Sequence, residues 1–299
     1  MGDARRQTPV QSGRPGKIHR PQHLNELLAL YSRFPDALLL AGATGATPAG
    51  EALQGAERII DLTTVQELKR IRRTDRFMDI GPALTISRIL STGRHVIPRV
   101  LYDALRSVGS PSLRNCATLG GNLALASPYS CPMTALLALE SRLELRTTSG
   151  SRWLPVSRFA AGHGKTSLRR GEVLTSIRVP LAEWNLGVFK RVCTRGELAA
   201  PAVIFCGIGR LAKQEIQDLR FAIGAVNPTG IRDRRIETPL VGQKLPLSGR
   251  EIDGVCAQLG ELIEPVSDPF STPEYRRITA VRVLRWFIEE LNRYPVYSF

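Results

Sequence analysis

Two glycine-bearing turns, about 75 residues apart, have the composition of a phosphate-binding site. The first follows an apolar strand in the stretch LLLAGATGATPAG, residues 38–50, and the second is the Gly120-Gly121 turn of RNCATLGGNLALASP, residues 114–128. Glycine lets a chain approach a phosphate closely and adopt positive φ, so that backbone N–H groups can bind the phosphate oxygens. Either turn by itself is also typical of a tight bend or bulge, whereas two such turns in one domain could converge on a pyrophosphate.

The first turn is also similar to the start of a nicotinamide-binding dehydrogenase, but other features argue against that class. The glycine fingerprint of those enzymes needs a third glycine, and Pro48 stands in its place. Their Tyr-x-x-x-Lys pair, in which the lysine lowers the tyrosine pKa for proton transfer, is missing from the sequence. The apolar strand also comes after a helix, whereas that dinucleotide fold usually opens with the strand.

The spacing of apolar residues predicts the elements that must position the two turns. A helix is expected over LNELLALYSRF, directly before the first apolar strand, and another from Pro132, with Cys131 as its N-cap. From about residue 186, three antiparallel strands are followed by helices. This order predicts an α+β fold with a flexible basic tail at 1–19, a first domain at 20–185 and a second at 186–299.

Composition excludes several classes of function. The net charge is +14, but the basic residues are scattered and are not interleaved with aromatic residues, so nucleic acid is not an expected partner. No Cys-x-x-Cys pair occurs among five cysteines and the four histidines are dispersed, so neither an iron–sulfur cluster nor another metal site is expected. No apolar run approaches the roughly 18 residues of a membrane span. A cytoplasmic location is expected.

Taken together, the segments resemble the FAD-binding (medium) subunit of the xanthine dehydrogenase and carbon monoxide dehydrogenase family of molybdenum hydroxylases. The family's first loop reads roughly Leu-Leu-Ala-Gly-Gly-Thr/Ser-Asp, where this chain has LLAGATG. Its second loop, Arg-Asn-x-Ala-Thr-x-Gly-Gly-Asn, matches residues 114–122 completely. The similarity runs from about residue 20 to the end, through the stretches IIDLTTVQEL, HGKTSLRRGEVLTSIRVP, FKRV, FAIGAVNPTGIR and PEYRR.

The resemblance implies a two-part FAD-binding domain of the vanillyl-alcohol-oxidase/PCMH type, followed by a smaller domain of antiparallel sheet and helices. It implies FAD as the cofactor, with a molybdopterin-containing large subunit and a 2Fe-2S small subunit as partners. Such a subunit takes electrons from the iron–sulfur clusters into FAD and passes them to an acceptor such as NAD or a quinone, with no catalytic residue of its own. The alternative is the same fold without bound flavin, acting as a structural or assembly subunit.

In this family the FAD pyrophosphate lies between the two loops, held mainly by main-chain amides, and the hydroxyls of Thr44 and Thr118 can add donors. Two pairs of strand residues are expected to contact the cofactor as well. Val173 and Leu174 would pack near the flavin ring, with ordinary core residues as the alternative. Phe189 and Lys190 would supply an aromatic and a lysine contact, with a solvated lysine as the alternative for Lys190. The residues expected to contact FAD are Leu38, Leu39, Leu40, Ala41, Gly42, Ala43, Thr44, Gly45, Ala117, Thr118, Leu119, Gly120, Gly121, Asn122, Val173, Leu174, Phe189 and Lys190.

Three positions depart from the family pattern. Ala43 replaces the second glycine of the first loop, where a methyl group costs roughly 1 kcal/mol if φ is positive. Gly45 replaces the acidic residue that ends the loop. Cys131 stands where the family commonly has an aspartate that bonds the flavin ribityl chain and caps the following helix. These departures are what keep the flavin-free alternative open.

Overall fold

The N-terminal layer is a small parallel sheet covered by a helix. The computed structural model of the chain describes residues 16–45, 55–196, 199–265 and 267–293, so residues 1–15 of the expected tail and the end of the first turn, 46–50, lie outside these ranges. The elements of this layer are β1 (Lys17–His19), α1 (Leu24–Arg33), β2 (Leu38–Leu40) and β3 (Arg58–Asp61), and the sheet order is β1-β3-β2. The expected tail therefore stops short of residue 17, because the backbone of Lys17–His19 pairs with β3.

A five-stranded antiparallel sheet forms the centre of the first half of the chain. Its strands are β4 (Ile71–Arg73), β5 (Phe77–Ile80), β6 (Arg142–Thr147), β7 (Gly150–Pro155) and β10 (Val173–Pro180), in the order β4-β5-β10-β6-β7. A two-stranded hairpin, β8 (Ala160–Gly162) with β9 (Lys165–Thr166), lies between β7 and β10 in the chain. Alternate residues of β10 are buried, as expected for a strand with one face on a core.

Five short helices between β5 and β6 carry the second glycine turn. They are α2 (Ile86–Leu90), α3 (Arg99–Arg106), α4 (Pro111–Cys116), α5 (Leu119–Ala124) and α6 (Cys131–Ala138). All eight residues of α6 are buried, so this helix is surrounded by other elements on every side. The sequence interpretation of its N-terminus is wrong by one residue: the N-cap is Ser130, whose hydroxyl accepts a hydrogen bond from the Met133 amide. Serine is a far better cap than the apolar thiol of Cys131.

The second half of the chain is a three-stranded antiparallel sheet between two sets of helices. The strands β11 (Leu186–Cys193), β12 (Pro201–Ala212) and β13 (Glu215–Gly224) are followed by α7 (Arg234–Glu237), α8 (Gly249–Leu262) and α9 (Pro273–Arg293). One face of β12 joins the core around α6 and the other packs on α8 and α9, so a single core extends across the expected domain boundary. Like every other helix in the described ranges, α9 is not apolar enough to cross a membrane.

Glu140, directly after α6, ties the two halves together through arginines. Its carboxylate pairs with Arg220 at 2.8 Å, with Arg232 at 2.9 Å and with Arg234. Burial disfavours the charged carboxylate, but the arginines outweigh that effect and lower the pKa of Glu140 to about 2. The charged form of Glu140 therefore stabilises the join between the halves.

We expect the substitution Glu140→Gln to flatten the acid limb of the stability curve. Because the folded-state pKa lies below the ordinary value, the contribution of Glu140 is complete above about pH 4.5 and is lost as the pH falls towards 2. Melting temperatures of the original chain and the variant, measured from pH 7 to pH 2, should differ most near neutrality and converge in acid. A constant difference across that range would contradict this role.

Candidate functional site

The two glycine turns meet in the structure. A Cβ atom added to Gly42 would lie 1.8 Å from the carbonyl oxygen of Cys116, directly before the second turn. The backbone of the first turn is thus packed against the backbone that leads into the second, and only glycine allows this approach. Gly120 is equally confined, since an added Cβ would lie 2.4 Å from the Pro82 side chain.

Between the turns lies a cavity of about 440 Å³. It brings together most of the residues expected to contact a cofactor. They are Leu38, Leu39, Leu40, Ala41, Gly42, Ala43, Thr44 and Gly45 from the first turn, and Ala117, Thr118, Gly121 and Asn122 from the second. The lining is completed by Val108, Leu113, Ala124 and Leu125. These four have no sequence signal of a binding site, because each resembles an ordinary helix position.

The first turn offers main-chain donors to this cavity. The amides of Gly42, Thr44 and Gly45 make no hydrogen bond with any other residue in the described ranges. Ala43 has φ +58°, a left-handed conformation that is uncommon for alanine. Successive amides around a residue of positive φ form a concave donor set of the kind that binds anions. The first turn therefore fits a pyrophosphate through its backbone.

The second turn differs from the sequence expectation, because the fold uses several of its amides. The Leu119 amide donates to Leu84 O, the Gly120 amide to Pro82 O, and the Ala117 amide to Leu113 O. The Gly121 amide donates to the hydroxyl of Thr118, the N-cap of α5. What this turn presents to the cavity is the Thr118 hydroxyl and the bare Cα of Gly121, while the Leu119 side chain is fully buried.

A second cavity, of about 610 Å³, lies on the other side of the first turn and shares Leu38, Leu39, Ala41, Gly121 and Ala124 with the first. Val173 and Leu174 from β10 line it, together with Gly120, Pro82 and Tyr31. Its wall includes Glu172, but Arg152 bonds both carboxylate oxygens at 2.7 and 2.8 Å. This bidentate pair, opposed by burial, holds the pKa of Glu172 below its usual value and compensates its charge. The cavity is suited to an uncharged ring system.

A third cavity, of about 820 Å³, lies beyond the turn that joins α3 to α4. Ser107, Gly109 and Ser110 of that turn line it, whereas Val108 of the same turn faces the cavity between the glycine turns. Arg191 and Cys193 of β11 form its opposite wall. The three cavities therefore lie in a row, with the glycine turns in the middle.

Cys131 is buried next to Ser107 and Arg191, two residues that line this third cavity. Burial raises the pKa of the Cys131 thiol, against the opposing effect of these two groups. A protonated thiol at the first residue of α6 is not a nucleophile. Since Ser130 supplies the helix cap, the departure from aspartate leaves the start of α6 capped.

The β11 side chains that line a cavity are not the two that the sequence analysis named. Strand alternation puts Phe189, Arg191 and Cys193 on one face and Lys190 on the other, where its ammonium lies 4.7 Å from the centre of the Trp286 ring. Phe189 packs against the central core, and neither Phe189 nor Lys190 lines any of the three cavities. The β11 side chains that do line one are Arg191 and Cys193, which the motif FKRV did not single out.

We expect Ala43→Gly to stabilise the protein by about 0.5–1 kcal/mol. Alanine at φ +58° costs about 1 kcal/mol or more, and the greater freedom of glycine in the unfolded chain offsets part of the gain. Thermal unfolding should shift upwards by about 2 °C. The matched control is Ala41→Gly two residues earlier, where φ is not positive, so the same chemical change should lower the melting temperature. Equal shifts in both variants would contradict the assigned strain.

Comparisons with known families agree with this geometry. The model of a family described as the FAD binding domain in molybdopterin dehydrogenase matches residues 11–182. A second family model, the CO dehydrogenase flavoprotein C-terminal domain, matches residues 189–291.

Individual proteins show the same similarity. The chain is 28% identical over 268 residues to the glyceraldehyde dehydrogenase medium chain of Sulfolobus acidocaldarius, covering 89% of this chain and 94% of that one. It is 29% identical over 297 residues to aldehyde oxidase 2 of Cavia porcellus, covering 93% of this chain but only 22% of that longer protein. Among solved structures, quinoline 2-oxidoreductase from Pseudomonas putida 86 superposes with a TM-score of 0.85 at 24% identity, covering 94% of this chain and 98% of that chain.

Proposed function

Because the chain belongs to the family of FAD binding domains in molybdopterin dehydrogenases, we propose that it carries electrons within a complex of three kinds of subunit. The chain is an oxidoreductase subunit with FAD as its cofactor, as the sequence resemblance predicted. Its proposed partners are a molybdopterin-containing large subunit and a 2Fe-2S small subunit. When bound, FAD would supply the redox chemistry, receiving electrons from the iron–sulfur clusters and releasing them to an acceptor such as NAD or a quinone.

The observation that carries the proposal is the row of three cavities with the glycine turns at its centre. FAD has two ring systems joined through a pyrophosphate. The open amides of Gly42, Thr44 and Gly45 and the hydroxyl of Thr118 supply donors for that pyrophosphate in the central cavity. The two outer cavities can each take one ring system.

The chemistry of the linings supports one orientation. We assign the adenine ring to the apolar cavity lined by Val173 and Leu174, which differs from the expectation that these residues lie near the flavin ring. The flavin ring is assigned to the cavity lined by Arg191 and Cys193, because Cys131, which takes the place of the ribityl-binding aspartate, lies next to Ser107 and Arg191 of that lining. In this orientation Arg106, Arg114 and Arg191, which all line that cavity, are the cations that would influence the electron distribution of the ring.

We further propose two domains that divide near residues 185 and 186, supported by the limits of the two family matches at 182 and 189. They share a continuous core, so we expect them to unfold together rather than separately. A cytoplasmic location is also proposed. All five cysteines are free thiols, which is the usual state in a reducing compartment.

Flavin analysis of the purified chain tests the cofactor, and variant spectra test its orientation. Denaturation should release about one FAD per chain; a colourless protein that also fails to bind added FAD would contradict the proposal and favour a structural subunit. Arg191→Lys should shift the visible absorption of the bound flavin, whereas Val173→Ala should change FAD affinity without a spectral shift. The reverse pattern would show that the orientation is inverted.

A further inference from the structure

A buried arginine joins several parts of the second half of the chain. Arg276, on α9, is only 1% exposed, and its guanidinium donates to Ala202 O at 2.8 Å and to Ala225 O at 2.5 Å. It also pairs with the carboxylate of Asp268. Arg276 thus connects the start of β12, the end of β13 and the turn that contains Asp268. The sequence motif PEYRR contains this residue but gave it no role.

Asp268 extends the connection into the first half of the chain. Its carboxylate accepts a hydrogen bond from the Tyr129 hydroxyl at 2.5 Å and from the amides of Phe270 and Ser271 at 2.9 and 2.8 Å. Burial and the bond to Asp268 both raise the pKa of Tyr129, so its hydroxyl remains a donor at neutral pH. The neighbouring Pro128 carbonyl accepts from the Ala225 amide at 2.9 Å.

The residue after Tyr129 is bonded to the second glycine turn. The Ser130 hydroxyl donates to Asn122 Oδ1 at 2.5 Å, and Asn122 follows Gly121 directly. An uninterrupted series of contacts therefore runs from Arg276 through Asp268, Tyr129 and Ser130 to the turn. The helix that carries the turn, α5, has only six residues, so contacts from outside must fix its orientation.

We propose that Tyr129, Asp268 and Arg276 are positioning residues that hold the second glycine turn in place for FAD. Arg276 and Asp268 act from the C-terminal half through Tyr129 in the first half, and none of the three lines the cavity between the turns. The inference rests on the proposed location of the pyrophosphate between the turns. It predicts that removing one of these contacts weakens FAD binding more than the accompanying loss of protein stability would explain.

The test compares a variant that removes a hydrogen bond between the two halves of the chain with a variant that removes hydrogen bonds within the second half. Tyr129→Phe removes only the donor to Asp268. Asn292→Ala is the matched control, because Asn292 bonds Leu247 N at 2.8 Å and Leu247 O at 3.1 Å, within the C-terminal half. We expect similar melting temperatures for the two, but an FAD Kd about fivefold higher in Tyr129→Phe only. Hydrogen exchange of the FAD-free protein should be faster over residues 119–131 in that variant.

The outcomes separate this inference from the proposed function. If Tyr129→Phe binds FAD as tightly as Asn292→Ala while Gly121→Asp loses FAD, the positioning role is refuted and the location of the pyrophosphate stands. If Gly121→Asp retains FAD, the pyrophosphate does not lie between the turns, and the positioning role is refuted as well. Asp268→Asn, which removes the charge that faces Arg276, is the second variant should Tyr129→Phe not fold, and it should raise the FAD Kd in the same way.

Discussion

Gly121→Asp should abolish FAD binding without unfolding the protein. Gly121 lines both the cavity between the glycine turns and the neighbouring apolar cavity, so a side chain there enters the space assigned to the pyrophosphate. At an effective dielectric constant of about 20, two like charges about 4 Å apart repel by about 4 kcal/mol, which corresponds to about a thousandfold rise in Kd. Flavin content of the purified variant and titration with added FAD measure the loss.

The fold should tolerate this substitution. Gly121 is the third residue of α5 after the Thr118 cap, a position where aspartate is favourable because of the positive end of the helix dipole. An added Cβ would meet only the Thr118 hydroxyl, at 2.9 Å. Gly121→Asn is the matched control, with the same shape and no charge, and should weaken FAD far less. Equal affinities of the Asp and Asn variants would mean that no phosphate lies beside Gly121.

Sequence alone predicted the parts of the site that depend on backbone type and order. The glycines of both turns and the strand of Val173 and Leu174 follow from local pattern and family resemblance. The sequence also singled out Ala43 as a position where a positive φ would be costly, and φ there is +58°. The fold class follows in the same way, because apolar spacing and turn residues are local properties. The family matches confirm both the resemblance and the two-part α+β fold.

What sequence could not predict depends on how distant segments face each other. The amides of Leu119 and Gly120 are used by Leu84 O and Pro82 O, which only the packed structure reveals. Arg191 lines a cavity and Lys190 does not, because neighbouring residues of a strand lie on opposite faces of the sheet. The contact between Tyr129 and Asp268 joins residues 139 apart in the chain. None of these has a local signature.

Gly42→Ala is expected to separate the two glycine turns and thereby lose both stability and cofactor. The new methyl would lie 1.8 Å from Cys116 O, far inside contact distance, and the three nearest atoms all belong to backbone that cannot rotate away. Forcing such a contact costs about 3 kcal/mol. Because the turns must then move apart, we expect FAD affinity to fall by about 100-fold as well. Chemical unfolding and FAD titration of the variant give the two values.

The matched control for Gly42→Ala is Gly45→Ala, the same change three residues later in the same turn. An added Cβ on Gly45 would meet only the end of the Leu125 side chain, at 2.6 and 2.7 Å, and Leu125 is 46% exposed and free to swing aside. Neither Gly42 nor Gly45 has positive φ, so backbone strain is the same for both substitutions. The two differ in what the new methyl meets, which is rigid backbone at Gly42 and a movable side chain at Gly45. Gly45→Ala should therefore keep its stability to within about 0.5 kcal/mol and retain FAD. Equal losses in both variants would show that the first turn needs glycine for a reason other than its contact with the second.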